Sequence, residues 1–294
     1  MRTLIALLVA LATQAGKPTD DPATWRWNVP DAVNVPGLEH ATIKSASMNL
    51  EVGFNLYLPP GYKESKDRYP VVYFLHGMTG TEKSEAWLAA IVHKAIADQK
   101  IPPTIAVFPN GGYSSFYLDW AGGKVMAETM LIKELIPHVD ATWRSVASRE
   151  GRAICGFSMG GYGSMRLSFK YPDLFSSAIS IGGAVSNADR MVDFRKARGT
   201  EMEKVYREGD PWALARENSD KVQGRVALRL YVGDKDGTLK AHAPFVDHLK
   251  SLGVAADLKV LEGVEHNPGQ YFPKMAVEML EFQAQAFKTA AGKK

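Results

Sequence analysis

The sequence predicts an α/β fold, a mostly parallel sheet with helices on both faces. Three observations predict it. Six short runs are nearly all apolar, as strands buried on both faces must be. Stretches of helical periodicity lie between them. Turn-forming Gly, Pro, Asp and Asn cluster where several of the runs end, as in Pro109-Asn110-Gly111-Gly112.

The elements follow in order. Residues 41–58 alternate polar and apolar, through Ile43, Val52, Phe54, Leu56 and Leu58, and predict two antiparallel strands ended by Pro59-Pro60-Gly61. Apolar strands are expected at 69–75, 104–108, 152–157, 177–181, 226–232 and 256–261. Helices are expected at 82–99, 126–139, 161–171, 241–252 and 274–287. Segment 185–223 is charged and helical in character, and carries Met191, Phe194, Met202, Tyr206 and Trp212. It is either a cap or insertion over the site or a solvated pair of surface helices.

The 294 residues are 46% hydrophobic and 23% charged, an ordinary globular composition. The net charge of +3 comes from scattered basic residues, so nucleic acid is not an expected partner. The single cysteine, Cys155, lies inside a predicted strand, which excludes an internal disulfide and a cysteine-based metal site. Met1-Arg2-Thr3 precedes an apolar run and a small-residue site at Ala10-Leu11-Ala12 or Thr13-Gln14-Ala15. That pattern predicts a secretory signal peptide at 1–15 and a secreted or periplasmic protein. The apolar run is about half of what a membrane-spanning helix needs, so no stable membrane span is expected. An irregular leader, 16–40, follows, pinned by Trp25 and Trp27, and then one domain, 41–290.

The run Gly156-Phe157-Ser158-Met159-Gly160-Gly161 fits G-x-S-x-G between a strand and a helix. In that context it predicts a nucleophile elbow, whose flanking residues must be small and whose serine sits above a helix N-terminus. A serine hydroxyl needs a base, usually histidine, oriented by a carboxylate. In this topology the order is Ser, then acid, then His. Two strand ends remain to supply them, Gly233-Asp234-Lys235-Asp236 and Glu262-Gly263-Val264-Glu265-His266. His266 is the only histidine after His248, and His242 and His248 fall on a predicted helix. Asp234 and Asp236 both fit the acid. The oxyanion donors are expected to be the N–H groups of Met159 and of Met78, next to Gly77, in Leu75-His76-Gly77-Met78-Thr79-Gly80. His76 shapes that loop. Cofactor and metal are not required by this chemistry.

From about residue 41 to 287 the chain resembles the esterase D-like family of α/β-hydrolases. That family includes feruloyl esterase domains, S-formylglutathione hydrolase and antigen 85-type mycolyltransferases. The resemblance rests on Leu75-His76-Gly77, the Ser158 elbow, Tyr171-Pro172-Asp173-Leu174-Phe175, Gly233-x-x-Asp236 and Glu262-Gly263-x-x-His266. It implies an α/β-hydrolase fold and a Ser158–Asp236–His266 triad, and it selects Asp236 over Asp234. A further block, 111–120, resembles the antigen 85 loop that borders the cleft, and continues through Glu128 and Glu134-Leu135-Ile136-Pro137. It implies that Phe116, Tyr117 and Trp120 line the cleft and that Asp119 braces it; the other reading is a structural loop anchoring the elbow. Gly77 and Trp212 complete the expected substrate-binding set. The implied activity is a secreted serine carboxylesterase acting on a small-molecule or polysaccharide-linked ester, of feruloyl or acetyl type. The alternative is acyl transfer to a sugar or lipid alcohol.

Overall fold

The computed structural model describes residues 21–31 and 33–292; the expected signal peptide, 1–15, lies outside the described residues. Eight strands form one sheet: β1 Leu38–Ser45, β2 Leu50–Tyr57, β3 Val71–Leu75, β4 Ile105–Pro109, β5 Arg152–Phe157, β6 Ser177–Ile181, β7 Ala227–Gly233 and β8 Ala256–Leu261. Their spatial order is β1-β2-β4-β3-β5-β6-β7-β8. The β1–β2 and β2–β4 pairs are antiparallel, and every later pair is parallel. β1 begins at Leu38, ahead of the alternation expected from 41, because its register runs on to pair Leu38 with Tyr57.

Helices cover both faces. α1 is Leu88–Ala97. α2 is built from Ala127–Thr129, the π-helical Met130–Leu135 and Ile136–Thr142. α3 is Met159–Lys170, α4 Ala188–Phe194, α5 Glu201–Glu208, α6 Pro211–Val222, α7 Leu239–Ser251 and α8 Pro268–Ala291. Successive strand residues point to opposite faces, which divides the core in two. Val71, Tyr73 and Leu75 pack with Ile154, Met165, Phe169 and Phe245 on one side. Val72 and Phe74 pack with Cys155, Ile179, Ala89, Val92 and Met275 on the other, under α1 and α8. β3, β4, β5 and β6 are buried at every residue, which is why they read as continuous apolar runs. Cys155 sits inside this core, and burial pushes its thiol pKa up, so it is a packing residue.

Segment 185–223 forms α4, α5 and α6, and it is packed rather than peripheral. Met191, Val192, Tyr206, Leu214 and Ala215 are buried in the main core. Tyr162 of α3 donates to the Gly209 carbonyl at 2.9 Å. Glu128 of α2 is buried against α3, where it receives Arg166 at 2.5 Å, Lys170 at 2.6 Å and the Tyr171 hydroxyl at 2.5 Å. Burial alone would raise its pKa, but these cations and donors lower it to about 2.

The helix expected at 82–99 begins at Leu88, and residues before it form turns. Glu85 in those turns is buried, and one of its carboxyl oxygens has no partner. Burial pushes its pKa from 4.5 up to about 8. Because the folded value is raised, its contribution to stability is full below about pH 4.5 and is lost as pH rises toward 8. Glu85→Gln removes that loss. Thermal melts should show the variant more stable than the parent at pH 8, by up to on the order of 3 kcal/mol, with the difference gone near pH 4.

Candidate active site

The elbow is set by close approach. An ideal Cβ on Gly160 would lie 2.1 Å from the Leu75 carbonyl oxygen, and one on Gly156 would lie 2.5 Å from the Gly160 carbonyl carbon. Glycine at both positions lets α3 start directly against the end of β3. Between them Ser158 adopts φ 55 and ψ −110, a strained conformation for a residue with a side chain. Ser158 N–H donates to the Ile181 carbonyl at 2.8 Å, and its own carbonyl accepts from Tyr162 N–H at 3.1 Å. These bonds hold the turn, and the hydroxyl stands at the N-terminus of α3.

The structure brings Ser158, His266 and Asp236 together from the ends of β5, β8 and β7. His266 Nε2 lies 2.8 Å from Ser158 Oγ, and Nδ1 lies 2.7 Å from Asp236 Oδ2. Burial would raise the Asp236 pKa. Hydrogen bonds from His266, from the Tyr271 hydroxyl and from Thr238 outweigh it and hold the carboxyl well below the usual range. An ionised Asp236 only accepts, so Nδ1 carries the proton and Nε2 accepts from the serine hydroxyl. All four carboxylate bonds are short: Tyr271 OH at 2.6 Å, Thr238 N–H and Oγ1 at 2.7 Å each, and His266 at 2.7 Å. Asp234 instead accepts from Gly263 N–H at 2.8 Å and ties the β7 loop to the β8 loop. The Phe157 ring lies 4.8 Å from the His266 ring.

The loop after β3 faces this group. An ideal Cβ on Gly77 would lie 3.5 Å from Ser158 Cβ. His76 is buried, and burial lowers its pKa to about 4 against the opposing Gly77 bond, so it is neutral at pH 7. Its Nε2 accepts from Gly111 N–H at 2.9 Å, which fixes the proton on Nδ1, and Nδ1 donates to the Gly77 carbonyl at 2.8 Å. In a trans peptide the N–H points opposite to the C=O. His76 thus turns the Met78 N–H away from itself. Among the described residues no acceptor engages the N–H of Met78 or of Met159.

The 111–120 block packs beside this loop. Phe116 and Tyr117 both take positive φ, 55 and 52. Ser115 Oγ donates to the Gly111 carbonyl at 2.5 Å, and Arg166 donates to the Tyr117 carbonyl at 2.8 Å. Phe116 is buried edge-on against Tyr162, Phe194 and Tyr206, beneath α4 and α5. Tyr117 is fully buried, with its hydroxyl on the His76 carbonyl, so it supports the loop from below and lines no open cleft. Asp119 accepts from Thr129 N–H at 3.0 Å and Oγ1 at 2.6 Å, bracing α2. Trp120 is half-buried against Trp25, with centroids 5.2 Å apart. Trp212 donates to the Val185 carbonyl at 2.9 Å and stacks on His248, at the seam of α6 and α7.

Two residues at the site carry no sequence signal. Tyr271 lies on α8 and bridges Asp236 Oδ2 and Gly233 N–H. Arg195, just after α4, reaches the Met78 sulfur at 3.9 Å and Ser114 Oγ at 3.3 Å, over the Phe116 ring. A cavity of about 550 Å³ lies at the opposite end of the sheet, against Ser176, Ala227 and Ala256.

The chain belongs to the family described as "Putative esterase", which it matches over residues 45–272. An esterase of Mycobacterium tuberculosis (strain ATCC 25618 / H37Rv) is 33% identical over 156 residues, 52% of this chain and 34% of its own length. The endo-1,4-beta-xylanase/feruloyl esterase of Xylanibacter ruminicola is 34% identical over 153 residues, 49% of this chain and 21% of its own. The match therefore spans about a third or less of these curated relatives. Among solved structures, a ferulic acid esterase superposes with TM-score 0.73 at 23% identity, over 85% of this chain and 98% of that one. The fold is the α/β-hydrolase fold.

Two substitutions test this geometry. Tyr271→Phe removes the bond to the Asp236 carboxylate and leaves the buried Gly233 N–H without its acceptor, and should lower kcat/KM on an activated ester about tenfold and the melting temperature by a few degrees. Gly160→Ala drives a methyl group into the Leu75 carbonyl, and should lower the melting temperature by several degrees and abolish turnover.

Proposed function

We propose that this member of the esterase family is a serine carboxylesterase that works through an acyl-enzyme on Ser158. The observation that carries the proposal is the continuous hydrogen-bond chain from Asp236 through His266 to Ser158, beside two unengaged N–H groups. Ser158 Oγ attacks the ester carbonyl carbon as His266 Nε2 takes its proton. Asp236 holds the imidazole in the tautomer that can accept, and stabilises the imidazolium. The carbonyl oxygen becomes an oxyanion received by Met78 and Met159 N–H at the start of α3, where each donor is worth about 3 kcal/mol. Collapse expels the alcohol, which leaves with the proton held by His266. Water then attacks the acyl carbon while His266 takes its proton, and Ser158 departs with that proton as the acid is released. The cycle balances with ester and water alone.

Met78 is 39% exposed and Phe194 62% exposed, an apolar rim beside the Phe116 loop. That rim favours an ester with an apolar or aromatic acyl group. A relative named as a feruloyl esterase supports a hydroxycinnamoyl ester of cell-wall polysaccharide, with acetyl esters as the simpler class. Export from the cell is proposed on the signal-like residues 1–15 alone.

The test is hydrolysis of p-nitrophenyl esters from acetate to palmitate, of methyl ferulate and of an acetylated xylo-oligosaccharide, by the parent and by Ser158→Ala. The parent should cleave at least the activated esters, and Ser158→Ala should lose several orders of magnitude in kcat. Substantial turnover by Ser158→Ala would overturn the mechanism. Faster transfer of the acyl group to an added alcohol than to water would make the protein an acyltransferase.

A further inference from the structure

We propose that Glu82 is a positioning residue for the oxyanion loop, and that through it the N-terminal segment around Arg26–Val29 helps to set the catalytic geometry. The inference rests on the reading of Met78 N–H as an oxyanion donor.

The Glu82 side chain has no exposure to solvent. Its Oε1 accepts from Val29 N–H at 2.5 Å, with His40 Nε2 at 3.4 Å. Its Oε2 accepts from Asn110 Nδ2 at 2.6 Å. The same Asn110 amide donates to the Arg26 carbonyl at 2.9 Å, and Asn110 Oδ1 accepts from Gly112 N–H at 3.0 Å. One buried carboxylate therefore gathers the leader and the loop after β4 at a single point.

That loop in turn holds the oxyanion loop. Gly111 N–H donates to His76 Nε2 at 2.9 Å, and His76 Nδ1 donates to the Gly77 carbonyl at 2.8 Å. Thr79 N–H donates to the Tyr113 carbonyl at 2.7 Å, a second tie between the same two loops. The path from Glu82 runs through Asn110, Gly111 and His76 to the Gly77–Met78 peptide, whose N–H is the proposed donor. The leader is locked into this array by its backbone as well, since Gly53 N–H donates to the Trp27 carbonyl at 2.7 Å. An ideal Cβ on Gly53 would lie 2.2 Å from Glu82 Oε1, so only glycine leaves room for the carboxylate there.

A carboxylate suits this place because it only accepts, and Val29 N–H and Asn110 Nδ2 can only donate. A glutamine of the same shape can accept from one of them and must turn its own N–H₂ toward the other. One leg of the array is then lost with the backbone volume unchanged. A donor displaced by a fraction of an ångström loses much of its value in the transition state while ground-state binding persists.

The experiment compares Glu82→Gln, Val29→Pro and the surface control Lys83→Met, in the full chain, on p-nitrophenyl acetate. The Lys83 amine pairs with Asp31, outside the array. Glu82→Gln should lower kcat about ten- to a hundredfold with KM within about twofold, and weaken an aryl boronic acid by the same factor as kcat. Val29→Pro deletes one N–H donor and should act in the same direction, which covers the case where Glu82→Gln fails to fold. Backbone hydrogen exchange at 77–80 and 111–113 should rise in both variants and stay at the parent level in Lys83→Met. Unchanged exchange at these loops, or a loss of kcat matched by KM, overturns the proposal. No ester cleavage by the parent overturns the esterase reading instead, and exchange still decides the role of Glu82.

Discussion

The site depends on one steric constraint, the contact between the first turn of α3 and the end of β3. Gly160 lies so close to the Leu75 carbonyl that no side chain fits between them. That contact forces the sharp turn at Ser158, with its left-handed φ, and points the hydroxyl out of the sheet at the α3 N-terminus. It also fixes the distance from Ser158 to the loop that begins at His76, because Leu75 ends the strand that carries that loop. Ser158, the proposed nucleophile, and the Met78 and Met159 N–H groups, the proposed oxyanion donors, are thus positioned by the same pair of backbones. The helix N-terminus adds a favourable field for the developing negative charge.

Around that contact three carboxylates are held by several donors each. Asp236 has four donors and stays ionised. Glu128 has two cations and a tyrosine hydroxyl. Glu82 has an amide N–H and the Asn110 side chain. Each buried carboxylate joins elements far apart in sequence, and each lies within one or two hydrogen bonds of a loop at the carboxyl edge of the sheet. Buried charge costs heavily when unpaired, so such groups persist where they are well satisfied. Glu85 differs from these three, with one oxygen unpaired and a raised pKa.

Much of this was legible in the sequence. The apolar runs gave the strands because burial on both faces leaves no room for polar residues. The elbow was legible because its requirement is local: small residues at fixed offsets from a serine. His266 followed from position, as the one histidine beyond the last strand. The choice between Asp234 and Asp236 was not fixed by residue type, since both sit in one turn. It is made by direction: one carboxylate turns to Gly263 and the other to His266. Tyr271, Arg195 and Glu82 were illegible for a common reason: their partners lie 28 to 117 residues away in the chain. No spacing rule links such pairs. The helix expected from 82 starts at Leu88 because Glu82 is drawn into that long-range array, and tertiary bonds override local propensity there. Tyr117 was expected on a cleft because the block that holds it borders one in relatives; its positive φ turns it into the core instead.

The measurement that bears most directly on the central claim is mass spectrometry of the intact protein, and of its peptides, after treatment with a fluorophosphonate ester. The account predicts one adduct per chain, on Ser158, with labelling that collapses in His266→Ala because the hydroxyl loses its base. Labelling at another residue, or labelling of Ser158 at the parent rate in His266→Ala, would contradict it.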